Sequence, residues 1–365
     1  MTVAVVGGGV VGMLSAYLLA RQGLDVVVVE RQSIGAESSW AGGGIVSPLY
    51  PWRYKDAVAA LAERSMASYG RYADELLAGT GVDPELHVCG LHWLDLEDHA
   101  RAREWMLGRG FSCFELGSSQ LSSELPVLGR MFVRSLFSPS LANIRNPRLL
   151  KALRAALAQM LNVRLVEHQV VHGLSLDSGK IAGVVTAEGV IPADRVVVAA
   201  GAWSGELLAT LGLHLPVEPV KGQMILYKCE PDYLPAMVLA EGRYAIPRRD
   251  GHVLVGSTLE HVGFDKTPTG EALASLKVSA EKMLPGLAQR EIVGHWAGLR
   301  PGSPDGIPFI GEVPELPGLW LNCGHYRNGL VLAPASCELL KNLMLGETPI
   351  VDPAPYSPAG RLGAL

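Results

Sequence analysis

"VAVVGGGVVGMLSAYLLA", residues 3 to 20, is the stretch whose reading decides the fold. On length alone it could span a bilayer, since about 20 apolar residues suffice. Its glycines and its flanks point elsewhere. No positively charged region leads into it, and Arg21, a turn at Gly23 and a second apolar run, "DVVVVE", follow it. The pattern predicts strand, glycine turn, helix, strand, with neither a transmembrane segment nor a signal peptide. "VAVVG" is a β-branched run suited to a strand buried on both faces, and "VVGMLSAYLLARQG" has helical spacing with Gly23 as its stop.

Between the predicted strand and helix lies Gly7-x-Gly9-x-x-Gly12. Gly7 permits the tight turn, Gly9 lets the backbone approach a pyrophosphate, and Gly12 lets the helix pack close to the strand. The pyrophosphate then rests on the positive end of the helix dipole. Alone this is a weak signal, because glycine supplies 42 of the 365 residues. Glu30 strengthens it. It closes the second strand 18 residues after Gly12, where an acid accepts hydrogen bonds from the ribose of an adenine dinucleotide.

Composition narrows the class further. A chain of 365 residues with 48% hydrophobic content can bury a large core in one large or two interleaved domains. The net charge of −5 and the lack of a basic run longer than Arg248-Arg249 argue against nucleic acid. Cys89, Cys113, Cys229, Cys323 and Cys337 are widely separated, without a C-x-x-C, and read as thiols in a reducing, cytoplasmic setting. No metal site is expected.

Three features favour FAD over NAD. In "ESSWAGGGIVSP", residues 37 to 48, Ser38, Ser39 and three consecutive glycines offer a bare backbone that can run along the ribityl chain and flavin. "RVVVAAGAWS", residues 195 to 204, is a late buried strand whose Ala200-Gly201 end returns the chain to the nucleotide. "NCGHYRNGLVLAPASCELLKNLML", residues 322 to 345, is a strand end and Asn328-Gly329 turn leading into a C-terminal helix. A helix N-terminus at the flavin pyrimidine edge stabilises an anionic reduced ring.

"WAGLRPGSPDGIPFIG", residues 296 to 311, reads as a loop-rich stretch and poses a separate question through Arg300. A guanidinium beside Leu299, Pro301 and Trp296 is costly to desolvate without an anion, and Asp305 lies beyond the turn. Either a distant carboxylate pairs with Arg300 or a ligand does.

Taken together, "VVGGGVVG", "ESSWAGGGIVSPLYPWRY", "LPVEPVKGQM", "HWAGLRPGSPDGIPFIG" and "GHYRNGLVLAP" resemble the D-amino-acid oxidase family of FAD-dependent oxidoreductases over nearly the whole chain. Within it they resemble the branch that oxidises glycine in thiamine biosynthesis. By that resemblance Val10, Val11, Glu30, Arg31, Ser38, Ser39, Gly43, Gly44, Ile45, Val171 and the run His325, Tyr326, Arg327, Asn328, Gly329, Leu330, Val331 contact FAD. It likewise implies that Arg300 binds a substrate carboxylate bidentately, with Tyr244 and Arg327 nearby.

The expected fold is α/β and α+β: a Rossmann-like FAD-binding domain interleaved with a substrate domain built on a mainly antiparallel sheet with helices. Residues 1–50, 146–220 and 305–365 make the first, and 51–145 and 221–304 the second. "YKDAVAALAERSMASYGRYADELLAGTG" and "PRLLKALRAALAQML" read as helices, the former stopped at Gly79 and Gly81, and the latter in the nucleotide domain. "GQMILYKCE", "GRYAIPRR" and "GHVLVGSTLE" read as strands of the antiparallel sheet, and the Pro-rich tail from Pro349 to Leu365 as loose.

The implied chemistry is oxidation of a small amino acid or amine, such as glycine, sarcosine or a D-amino acid, with O2 reduced to H2O2. Hydride passes to a non-covalently held flavin, and no side chain is obligatory as acid or base. Dehydrogenases passing electrons to a quinone or carrier share these motifs, as does a flavoprotein subunit without a substrate of its own. The family commonly forms homodimers or homotetramers.

Overall fold

The computed structural model describes residues 1–364. Thr2–Val6 (β1) alternates its burial between two cores: Val3 and Val5 pack among helices on one side, Ala4 and Val6 among apolar residues on the other. A strand buried on both faces needs such a run without polar breaks. Val10–Ala20 (α1) follows, Gly23 turns the chain at φ 81°, and Asp25–Val29 (β2) returns parallel to β1.

This unit anchors a six-stranded sheet ordered Phe309–Glu312, Leu319–Cys323, Arg195–Val198, β1, β2, Val163–Val166. All neighbours are parallel except the first pair, which forms a hairpin. On one face lie α1, Asn146–Ala158 and Gly329–Leu345, which bury Leu14, Leu153, Leu339 and their neighbours. The opposite face is covered partly by a three-stranded antiparallel sheet within residues 171–192, which contributes Ile181 and Val184.

A second sheet has eight strands, ordered Ile292–Gly302, Glu218–Tyr227, Val253–Gly256, Arg243–Pro247, Met237–Ala240, Leu91–Leu94, Arg134–Ser138, Phe114–Gly117. Only Met237–Ala240 and Leu91–Leu94 run parallel. Side chains alternate across it. Ile225, Val238, Ala245 and Val255 face Leu276 and Ala280 of the helix Gly270–Met283, while Met224, Leu239, Tyr244 and Trp93 face Ile45, Leu49 and Trp52.

Several local expectations need correction. Residues 296–302 are not a loop: they end the strand Ile292–Gly302, paired almost continuously with Glu218–Tyr227, and that ladder overrides the weak strand propensity of Gly298, Pro301 and Gly302. Gly79 does not stop its helix, which runs Asp56–Thr80 and ends on the left-handed Gly81. That helix packs with Asn146–Ala158 and Gly329–Leu345, its Leu61, Tyr69 and Leu76 buried in the same core as α1, and not against the eight-stranded sheet. The serine half of residues 37–48 forms a short helix, Glu37–Ala41, before the glycines.

The tail is not loose either, as far as it lies within the described residues. Tyr356 is buried and its hydroxyl donates to Ala57 O at 2.7 Å, Arg361 donates to Ile307 and Pro308 carbonyls, and Gly363–Ala364 pairs with Leu213–His214. Leu365 falls outside those residues.

Candidate active site

Where the two sheets face each other, a cavity of ≈460 Å³ opens. It lies within the usual range for a cofactor or ligand site, about 300–1,000 Å³. Every residue singled out from the sequence lines it except Gly12, including Val171, Ala200 and Gly201. Gly12 sits behind the wall, where a Cβ would meet Gly7 O at 1.9 Å. Its place is helix-to-strand contact, while Gly7, at φ 112°, turns the chain beneath Ala199.

The nucleotide end is built from the first βαβ unit. Glu30 accepts the Gly8 N–H at 2.7 Å and the Gln32 N–H at 2.9 Å, so its carboxylate is held in place with lone pairs left over. Ser39 Oγ accepts the Val10 N–H at 3.0 Å and lies 2.9 Å from where a Cβ on Gly9 would stand. The start of α1 has no acidic residue in its first turn, and neither does the helix that begins at Gly329. Both helix starts line the cavity, where backbone N–H groups and the dipole suit an anion. Arg31 lies over Trp203 at 3.5 Å and pairs with Glu37, which Lys266 also reaches at 2.8 Å.

Orphaned polar atoms on this wall test whether a flavin dinucleotide fits. Asn328 Nδ2 and Asn146 Oδ1 are buried at the cavity without a hydrogen-bond partner from the protein. Unsatisfied buried groups of this kind cost about 1–3 kcal/mol each, and a ligand carrying donors and acceptors removes that cost. The glycines at 7, 9, 43 and 44 meanwhile leave backbone open to close approach. The residues fit the group.

His325 is fixed from behind. Its Nε2 lies 2.7 Å from Ser336 Oγ, which donates to Asn322 Oδ1, and Asn322 Nδ2 donates to Ser15 Oγ at 3.1 Å. All four side chains are buried, and burial pushes the His325 imidazole down to about 3, keeping it neutral near pH 7.

At the other end of the cavity's residue set stands Arg300. Its Nη2 donates to Ser257 Oγ at 2.6 Å, and its Nη1 to the carbonyls of Thr258 at 3.2 Å and Lys221 at 3.3 Å. No carboxylate pairs with it among the described residues. Burial lowers its proton affinity, and the charge of Arg327 lowers it further, while Tyr244 acts the opposite way. The guanidinium lies over Gly222, where a Cβ would come within 2.2 Å of Nη2.

The strand positions behind Arg300 are tied down on the far face of the sheet. Lys221, 1% exposed, places Nζ 3.4 Å from Asp265 and 3.6 Å from Glu260. Gln223 Nε2 donates to Glu260 at 2.9 Å, and the Lys221 and Glu260 backbones exchange two hydrogen bonds. The two carbonyls that hold Arg300 therefore belong to residues with little freedom to move.

Tyr244 is buried, with its ring edge over Gly43 and Gly256. Arg327 is exposed at the cavity wall and has no ion pair among the described residues. Sequence reasoning missed Ser257, Gly222, Met224, Trp203 and Asn146, all of which line the cavity. "KGQM" held Gly222 and Met224 in plain view, but no local pattern marks Ser257 as the hydroxyl that meets Arg300.

A glycine-turn nucleotide cleft continuous with a sheet that presents an uncompensated guanidinium fits a flavin-dependent oxidoreductase. The family model for FAD-dependent oxidoreductases matches residues 2–343. The chain is 60% identical over 361 residues to the glycine oxidase of Pseudomonas putida, covering 99% of both chains. It is 59% identical over 360 residues to that of Pseudomonas aeruginosa, again over 99% of both. The crystal structure of glycine oxidase from Geobacillus kaustophilus superposes with a TM-score of 0.92 at 31% identity, over 97% of each chain. The chain belongs to the D-amino-acid oxidase family of FAD-dependent oxidoreductases, and it is an FAD-dependent amino-acid oxidising enzyme.

Proposed function

We propose that the protein oxidises glycine, and with it sarcosine and small D-amino acids, at the Cα–N bond, with O2 reduced to H2O2. The observation that carries this reading is Arg300, a half-buried cation at the cavity wall whose protein partners are all neutral. A substrate carboxylate completes it, and the planar fork holds that carboxylate in two directions at once. Tyr244 and Arg327 flank the same space. The names of the two Pseudomonas relatives support glycine as the substrate.

FAD, when bound, supplies the acceptor for the α-hydrogen and returns the electrons to oxygen. Glu30, Ser39, the starts of α1 and the C-terminal helix, the glycines at 7, 9, 43 and 44, and the run from His325 to Val331 hold it, without a covalent bond. The chain's share in the reaction is orientation: Arg300 fixes the carboxylate, and the backbone around it is too constrained to follow a misplaced substrate. The amine must enter neutral, so the reaction favours alkaline pH. The product imine hydrolyses to glyoxylate and ammonia, or is consumed directly in thiamine biosynthesis.

In the same reading residues 1–50, 146–220 and 305–365 serve the cofactor and 51–145 and 221–304 the substrate. The enzyme works in the cytoplasm as a homodimer or homotetramer. Among the described residues no helix is long and apolar enough to cross a membrane. The test is anaerobic mixing with glycine, sarcosine, D-alanine, D-proline and L-alanine, followed by oxygen uptake without an added acceptor. Glycine must bleach the bound flavin. Bleaching without oxygen uptake transfers the protein to the carrier-linked dehydrogenases, and no bleaching by any amine refutes the reading.

A further inference from the structure

The cavity-facing side of the eight-stranded sheet is unusually bare around Arg300. Strand register aligns Gly222 with Gly298, and in the adjacent row Trp296 with Met224, Met224 with Gly256, and Gly256 with Tyr244. Each glycine makes room for one neighbour. A Cβ on Gly222 would strike the Arg300 guanidinium, one on Gly256 would meet the Tyr244 ring and hydroxyl at 2.8 Å, and one on Gly298 would meet Ala41 at 2.6 Å.

Met224 is the side chain that rises between them. It stands two residues from Gly222 on the same face of its strand, about 6.6 Å along, and directly opposite Gly256. It is only 4% exposed, and it lines the cavity. It packs in the cluster of Ile45, Leu49, Tyr244 and Trp296, so it has little room to swing away.

We infer that Met224 is the specificity-determining residue for substrate size: its thioether occupies the space into which a substituent on the substrate α-carbon would extend once Arg300 holds the carboxylate. The inference rests on the amino-acid-oxidase reading of Arg300. It assigns the enzyme a substrate class limited to an unsubstituted or methyl-bearing α-carbon. Branched and longer amino acids are excluded by steric overlap with Met224, not by loss of charge pairing.

The experiment uses the holoenzyme. In wild type, dissociation constants for acetate, propionate and isovalerate, read from the perturbed spectrum of bound FAD, should rise by at least tenfold from acetate to isovalerate. A single extra or missing methylene in an apolar pocket is worth roughly 10–200-fold. Met224→Ala should compress that series and raise the ratio of kcat/KM for D-leucine over glycine at least tenfold, with flavin content unchanged. Met224→Leu, of similar volume, should leave both near wild type.

A series that is flat or improves with chain length in wild type overturns the inference, and this needs no variant to fold. An unchanged D-leucine to glycine ratio in yellow Met224→Ala protein overturns it as well. If glycine fails to reduce wild-type flavin while acetate still binds and isovalerate does not, the oxidase reading has failed and the size gate stands.

Discussion

Replacing Arg300 with alanine separates a ligand anchor from a structural arginine. The side chain makes three hydrogen bonds from a charged donor to neutral acceptors, each worth about 1.5–3 kcal/mol net. Lys221 O keeps its bond from the Glu260 N–H at 3.0 Å after truncation. Removing a half-buried cation without a counter-ion also relieves a desolvation cost. The two effects oppose each other, so we expect stability to shift by no more than about 1–2 kcal/mol and FAD to be retained.

Binding responds differently. A desolvated, bidentate carboxylate–guanidinium pair loses roughly 3 kcal/mol on truncation, on the order of a hundredfold. Arg300→Ala should therefore raise the glycine KM and the acetate dissociation constant by that common factor. Arg300→Lys should recover only part of it, because an ammonium offers a point charge in place of a fork. The assays are steady-state oxygen uptake, spectral titration of bound flavin with acetate, and thermal unfolding. Protein that unfolds or loses FAD, with KM little changed in whatever survives, would refute the argument and return Arg300 to the scaffold.

Three further outcomes follow from the same geometry. Gly222→Ala places a methyl 2.2–2.4 Å from Arg300 Nη2, Nη1 and Cζ, so the guanidinium must shift and the glycine KM should rise at least about tenfold with FAD content intact; an unchanged KM contradicts the placement. Gly9→Val should yield colourless, folded protein, because Gly9 has an ordinary φ of −74° while its side chain would enter the space beside Ser39; a normal absorbance ratio at 450 and 280 nm defeats this. His325 stays neutral in the fold down to about pH 3, whereas the unfolded chain protonates it below about 6.5, so the unfolded state binds more protons across that window. Stability should fall as pH drops from about 6.5, by up to about 1.4 kcal/mol per unit from this group, and unfolding of His325→Gln should show a shallower acid slope; an identical slope speaks against it.

The first βαβ unit was legible because everything it needs is local. Its strand, glycine turn and helix follow one another within 20 residues, and Gly7 and Gly12 meet the backbone of their own unit or of the neighbouring strand. Residues 296–302 resemble a loop in sequence for the opposite reason. Pro301 and Gly298 weaken the strand signal, and what makes the segment a strand is pairing with residues 218–224, far earlier in the chain. The tail shows the same limit. Proline content suggested looseness, but single anchors such as Tyr356 and Arg361 bind it to distant carbonyls that no periodicity reveals.

The site divides along the same line. Consecutive glycines announce a cofactor loop, while Gly222, Gly256 and Gly298 look like ordinary strand breakers until register sets them side by side. Their arrangement explains why a permanent cation is tolerated among apolar neighbours. Gly222 lets the guanidinium lie flat, and the carbonyls of Lys221 and Thr258 take its N–H groups without neutralising it. The cost of desolvating the charge is therefore incurred during folding, before any substrate arrives. An entering carboxylate meets a donor fork already fixed in direction by Ser257, Thr258 and Lys221, which concentrates the available interaction on binding and orientation. A protein carboxylate in the same place would have neutralised the guanidinium and left the site with nothing to offer an anion.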